Sequence, residues 1–282
     1  MRLLPLTTAL VVLLTAGPLL HAGTLAQFRT PLGDIEVELY DQDKPVTVLN
    51  FIRYVQSGAY RDEFSHRLLP GFVLQGGGFT VTNRGSTNPT VLPIPSFPPI
   101  TNEFSTGRRF SNLYGTLAMA KLAGNTNSAT SQWFFNLANN TFLDAADTNN
   151  LFVVFGHVIR GTNVLNGFNR FRYFDGTQTS NLVYQGELPP FDTLPLLHAS
   201  LDDTNLVFIE VSVLQVSVTT LADGSRQVSW NSAAGLTNIL EFSTNLPPVW
   251  NALLQTNGSG NLVSITDTAP EPGRFYRVRV PF

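Results

Sequence analysis

Apolar and polar positions first alternate cleanly after residue 33. Ile35, Val37 and Leu39 are interleaved with Asp34, Glu36 and Glu38, the period of a strand with one face in water. "TPLGD" supplies a turn back to Phe28, so a hairpin is expected. The period then lengthens. Val48, Phe51, Ile52 and Val55 fall on one helical face, with Pro45 suited to the first turn and Gly58 to the stop. "EFSHRLLPGFVLQGGGFT", Glu63 to Thr80, predicts two short strands, 66–69 and 72–75, joined at Pro70-Gly71.

"YGTLAMAK", "SQWFFNLA" and the strongly apolar "LFVVFGHVI" predict further strands. Val164, Leu165, Phe168 and Phe171 predict a second helix behind a Thr162 cap, weakened by Gly167. "LVFIEVSVLQV", Leu206 to Val216, alternates as a closing strand. Two stretches lack a period. Residues 81–100 carry five prolines and read as a long loop; residues 172–205 read as a second irregular segment. From about Ser217 four or so short strand-like runs with polar turns predict a small all-β, sandwich-like module. Its expected core is Trp230, Phe242, Trp250, Phe275 and Tyr276.

The N-terminus adds a further segment. Arg2 precedes an apolar run from Leu3 to Leu20 that is broken by Pro5, Gly17 and Pro18, and Ala22 precedes a change to polar sequence. This predicts a signal peptide over 1–22, and hence export to the periplasm or beyond without stable membrane insertion after cleavage. The expected division is then 1–22, a domain over 23–216 and a module over 217–282. Charged residues are only 13% of the chain and the net charge is -3, so no nucleic-acid partner is expected. There is no cysteine, which removes disulfides, Cys-type zinc sites and thiol catalysis. Gly76–Gly78 lacks the Gly-Lys-Ser/Thr of a phosphate loop. The histidines, His21, His66, His157 and His198, show no metal-ligand spacing. No cofactor is implied.

Arg67 is the residue this leaves unexplained. It lies among Phe64, Leu68, Leu69, Phe72 and Leu74, where an isolated charge is costly unless it has a partner or a task. "FSHRLLPGFVLQGGGFT", "YGTLAMAK", "NSATSQWFFNLA", "TFLD" and "FVVFGHV" together resemble the cyclophilins, the cyclophilin-type peptidyl-prolyl isomerases, in order and approximate spacing. The resemblance covers about residues 24–216. It implies a mainly β fold, an eight-stranded closed antiparallel β-barrel capped by two helices, followed here by the β-module. It also implies catalysis of X-Pro isomerisation in exported proteins, with proline-containing peptides and unfolded chains as partners.

The resemblance carries over residue by residue. Arg67 matches the groove arginine and Gln75 the glutamine that orients it. Phe72, Val73, Phe134 and Leu143 match the walls around the proline ring. Gln132 matches a groove glutamine, and Ala120 and Lys121 match the strand whose main chain pairs with the residue before proline. Phe142 stands where tryptophan is frequent, and Phe152 where histidine is frequent. Lys121 replaces an asparagine and Gly78 a frequent aspartate, and "AADTNN", 145–150, lengthens a loop beside the pocket. Taken singly, Phe72, Phe134, Phe142 and Leu143 fit a plain strand core equally well. A protein that only binds proline segments, as chaperone or scaffold, is the alternative, with the tail as an attachment module of unknown partner.

Overall fold

The protein is described by a computed structural model over residues 24–145, 150–186, 189–214, 216–232, 237–245, 249–259, 261–268 and 273–279. The expected signal peptide lies outside these residues. Two strands, β1 (Leu25–Thr30) and β2 (Gly33–Leu39), form the expected hairpin, with Phe28 opposite Ile35. Helix α1 (Pro45–Gln56) follows and buries Val48, Phe51, Ile52 and Tyr54. Then come β3 (Arg67–Leu69), β4 (Val73–Gly76), β5 (Phe79–Thr82), β6 (Thr90–Pro93), β7 (Thr116–Met119), β8 (Trp133–Asn136) and β9 (Val154–Arg160). Helix α2 (Thr162–Phe168), β10 (Arg172–Tyr173), β11 (Ser180–Tyr184), β12 (Leu194–His198) and β13 (Glu210–Leu214) complete this part.

Eight strands form one curled antiparallel sheet in the order β13-β1-β2-β9-β7-β8-β4-β3. Its concave side holds the main core, where Phe28 meets Trp133 and Phe135 edge-on, each with ring centres 4.9 Å apart. Both helices pack on this core, α1 through Phe51 and α2 through Val164, Leu165 and Phe168. Alternation along β8 follows from the pleat. Trp133 and Phe135 point into this core, whereas Phe134 belongs to a separate cluster on the other face.

The expectation of a closed barrel is corrected. The edge strands β3 and β13 do not pair with each other, so the sheet is open. The reason lies in residues 172–205, which are not irregular: β10, β11 and β12 form a three-stranded sheet. The Leu68 N–H of edge strand β3 donates to the carbonyl of Thr193 at 2.8 Å, just before β12. Closer to α1, the gap is bridged only locally. Phe64 pairs with Phe208, and Ser65 N–H donates to Val207 O at 2.9 Å. The added sheet covers its own apolar cluster of Phe64, Val81, Leu182, Leu194, Leu196, Leu206 and Phe208.

Three smaller expectations are also corrected. Residues 81–100 begin with a hairpin, β5 against β6. Thr162 is the first helical residue rather than the cap; Gly161 caps α2 with φ 94° and no side-chain bond. The closing strand starts at Glu210, because residues 203–205 form a 3-10 turn and Phe64 takes up Phe208.

The N-terminus of α1 has no capping side chain of its own. Glu103, 3% exposed, supplies it from the long loop after β6. Its carboxylate accepts from Val46 N–H (3.1 Å), Thr47 N–H (2.7 Å) and Thr47 Oγ1 (2.7 Å). These are helix donors that have no intrahelical acceptor, and a negative charge is favourable at that end. The Lys44 amine reaches back to the carbonyls of Glu103 and Thr106.

The C-terminal strands are β14 (Val216–Thr220), β15 (Arg226–Asn231), β16 (Thr237–Ser243), β17 (Asn251–Asn257), β18 (Leu262–Asp267) and β19 (Phe275–Arg279). They make two three-stranded sheets, β14-β15-β18 and β17-β16-β19. Both sheets contribute to one core of Val228, Trp230, Leu240 and Val278, joined by Leu214 of β13. The expected core is corrected in part: Trp230 is fully buried, but Phe275 is 41% exposed. Phe242 and Trp250 lie under Arg274 and Arg277, the guanidinium carbons 4.1 and 4.3 Å from the ring centres.

Candidate functional site

The candidate site lies on the convex face of the sheet, across β3, β4, β8 and β7. Strand register sets its centre. Arg67 stands opposite Gln75 on β4, and Gln75 stands opposite Phe134 on β8. Residues in register point to the same side of a sheet, so these three side chains share one face. The Arg67 Nη1 donates to Gln75 Oε1 at 3.3 Å, and Gln75 Nε2 donates to Gln132 Oε1 at 2.7 Å. Arg67 is thus held from behind by a relay of two amides. Its guanidinium carbon is 5.7 Å from the Phe72 ring centre.

Beside this relay is an apolar cluster. Val73, Phe134 and Leu143 are buried, with Phe72, Ala120 and Phe152 packed against them. Phe134 meets Phe152 edge-on at 5.7 Å. Phe142 stacks on Phe72 at 5.7 Å and is 55% exposed, which makes it a rim residue rather than core. Phe142 and Leu143 sit on a 3-10 turn (Thr141–Asp144). The Lys121 amine lies 4.5 Å from the Phe152 ring centre. All eleven residues singled out in the sequence therefore occur at one place. Most of the lengthened loop beside the pocket, residues 146–149, lies outside the described residues.

Local backbone explains the glycine run. Gly77 has φ 74° and donates its N–H to the buried Glu63 carboxyl at 2.8 Å. A Cβ at Gly78 would stand 2.8 Å from His66 Cε1 and 3.2 Å from Gln132 Cδ. An aspartate there, frequent in the family that the sequence resembles, would meet those two side chains.

The electrostatics are those of a partly dry site. Burial pushes the Arg67 pKa down, opposed by Asp192 and then Tyr173 of the added sheet. Arginine's ordinary pKa is so high that Arg67 stays charged. Burial, helped by Arg67, lowers His66 to about 4, so this histidine is neutral at pH 7. Burial also lowers Lys121. A fixed cation beside an apolar pocket can bind a ring and place a donor next to it. The chemistry this allows is electrostatic stabilisation without a covalent step.

Several residues of the site were not singled out in the sequence. Ala118 and Val154 are buried in the same cluster, with Tyr40 and Phe110 packed against it. Ala118 and Val154 were within reach of alternation, since Ala118 is in register with both Phe134 and Val154. Phe110 stacks on Tyr40 at 3.8 Å from a loop, and no local pattern announces that contact.

Comparison with known proteins identifies the family. The family model described as "Cyclophilin type peptidyl-prolyl cis-trans isomerase/CLD" matches residues 25–184, more than half of the chain. A peptidyl-prolyl cis-trans isomerase of Acinetobacter baylyi is 41% identical over 144 residues, covering 51% of this chain and 71% of that protein. Peptidyl-prolyl cis-trans isomerase A of Dickeya dadantii is 39% identical over 166 residues, covering 58% and 81%. Peptidyl-prolyl cis-trans isomerase B of Escherichia coli is 35% identical over 144 residues, covering 50% and 81%. The chain belongs to the cyclophilin-type peptidyl-prolyl cis-trans isomerase family.

Proposed function

We propose that this protein accelerates cis-trans isomerisation of X-Pro bonds in exported proteins, with Arg67 as the catalytic residue. Rotation about the peptide bond has a barrier of about 18–20 kcal/mol, because nitrogen shares its lone pair with the carbonyl. At the halfway twist that sharing is lost and the nitrogen lone pair becomes an acceptor. A guanidinium held beside it stabilises the twisted state more than either planar one. The proline ring sits against Phe134, Val73, Leu143 and Phe72, with Phe142 and Phe152 at the rim. Gln132, Ala120 and Lys121 hold the preceding residue. No proton needs to be transferred.

The observation that carries this reading is the Arg67–Gln75–Gln132 relay beside the Phe134 cluster. A sheet kept only for binding has no use for a half-buried arginine aimed by two amides. Export rests on the apolar N-terminal segment of the sequence. Slow proline isomerisation limits the folding of many chains, and an exported isomerase would act on clients of that kind.

Exchange NMR on a short Ala-Pro peptide reads binding and turnover together. Arg67→Ala is expected to bind the peptide nearly as the parent does and to isomerise it about a hundredfold more slowly, the usual cost of one placed donor. Arg67→Lys is expected to recover little, because an ammonium lacks the planar fork that Gln75 aims. A folded Arg67→Ala protein that isomerises at the parent rate would overturn the assignment and favour a proline-binding protein.

A further inference from the structure

Gln132, Phe134 and Asn136 follow one another at the period of a strand. Gln132 belongs to the arginine relay and Phe134 to the apolar cluster. Asn136 belongs to neither, yet it is completely buried. Burying an amide is costly unless its donors and acceptor are met. Here they are met by a connected set of side chains. Asn136 Nδ2 donates to Asn112 Oδ1 at 3.0 Å and to Thr116 Oγ1 at 2.9 Å, and its Oδ1 accepts from Asn140 Nδ2 at 2.8 Å.

The ends of this set fall on the pocket walls. Asn140 Nδ2 also donates to the carbonyl of Phe72 at 2.8 Å. Asn112 Nδ2 donates to the carbonyl of Phe152 at 3.2 Å and to Asp144 Oδ1 at 2.7 Å, and the Asn112 N–H donates to Asp144 Oδ1 at 3.1 Å. Asp144 ends the turn that carries Phe142 and Leu143, and Leu143 N–H donates to Asn140 O at 2.9 Å. Phe72, Phe152 and the Phe142–Leu143 turn come from three separate parts of the chain. Each is tied to the strand that carries Phe134.

We infer that Asn112, Asn136, Asn140 and Asp144 are positioning residues that hold the walls of the proline pocket around Phe134. This rests on the reading of the site as an isomerase pocket. Apolar side chains would fill the same volume with at least equal stability, but they carry no direction. A fully satisfied polar network specifies one arrangement. The pocket grips the ring in planar and twisted states alike, so loosening it weakens both to the same extent. Such a loss raises KM and leaves kcat nearly unchanged, the opposite of the split expected for Arg67.

Steady-state isomerisation of an Ala-Pro peptide by the full chain, below the unfolding range of every variant, tests this. Asn136→Ala is expected to raise KM about tenfold, the factor that about 1.4 kcal/mol makes, with kcat within about twofold. Asp144→Asn keeps one acceptor oxygen and is expected to raise KM less. Val164→Ala, in the core under α2, destabilises without touching the network and is expected to leave KM alone. Parent KM in both network variants overturns the inference, as does an equal rise in Val164→Ala. Should Asn136→Ala fail to fold, Asp144→Asn decides alone. Titration with the same peptide separates the two readings. A parent that binds but does not isomerise overturns the isomerase reading, and the change in Kd between variants then judges the network.

Discussion

Arg67 and His66 are neighbours on the chain with opposite surroundings. Arg67 faces the groove and keeps its charge because arginine's ordinary pKa is so high, whereas His66 is 2% exposed and buried against Gly78 and Gln132. Burial, with Arg67 beside it, holds His66 near 4, below its ordinary value of 6.5. The folded state therefore binds fewer protons than the unfolded state between pH 6.5 and about 4. Stability from this residue is fully present above pH 6.5 and is lost as pH falls through that window. Glu63, whose pKa burial pushes well above the carboxylate range, acts with the opposite sign. Comparing the parent with His66→Gln removes that common term. From pH 7 to pH 4 the parent is expected to lose about 3 kcal/mol more than the variant, read by urea unfolding at each pH. Parallel pH profiles would show that His66 is not held neutral.

Elements here depend on segments distant in sequence. Helix α1 has the apolar face and the Pro45 start that predict it, but its N-terminal donors are met by Glu103, 56 positions beyond Thr47. Glu103→Ala leaves buried N–H groups without an acceptor and is expected to cost about 2–3 kcal/mol. Glu103→Gln keeps one acceptor oxygen and is expected to cost less. Thermal unfolding of the two variants checks the order, and equal stability of both with the parent would show that the cap is dispensable. Strand β8 shows the same dependence in its two faces. Alternation in "SQWFFN" predicts that Trp133 and Phe135 part from Phe134, but not which side is core and which is groove. The choice is made by register, since Phe134 stands opposite Gln75 and Ala118.

At the scale of the molecule, the two parts of the chain share a seam. Leu214 ends the last strand of the curled sheet yet is buried in the core of the C-terminal sheets. Leu25, Gln27 and Glu36 line a crevice with Leu214, Arg277 and Val278. The curled sheet nonetheless has its own core, in which no tail residue takes part among the described residues. A chain ending at Val216 is therefore expected to fold and to keep most of its peptide activity. It should unfold at a lower temperature because Leu214 and the crevice become exposed. Peptide isomerisation and a thermal scan of the shortened chain check both statements. Loss of folding would mean that the tail completes the core of the curled sheet.

The amino-acid sequence by itself determined most of the elements and, through the resemblance its motifs carry, the family. Periods of two and 3.6 residues located the first hairpin, both helices and most strands, because alternation and helical spacing are local consequences of burying one face. The run from Phe64 to Thr80, with "YGTLAMAK", "SQWFFN", "TFLD" and "FVVFGHV", contains all eleven residues that the fold gathers at the site. What only the tertiary structure decided depends on contacts between distant segments. The prolines of 81–100 and the polar turns of 172–205 hid strands, since β5, β11 and β12 are held by packing around Phe64 and Phe208, and the exposed β6 and β10 by pairing with β5 and β11, rather than by a local period. That added sheet takes the Leu68 N–H and leaves the expected barrel open. The asparagines behind the pocket gave no sequence signal, because Asn in a strand or turn reads as surface. Hydrogen bonds to one another, to Thr116 and Asp144 and to the carbonyls of Phe72 and Phe152 make Asn112, Asn136 and Asn140 tolerable in the interior.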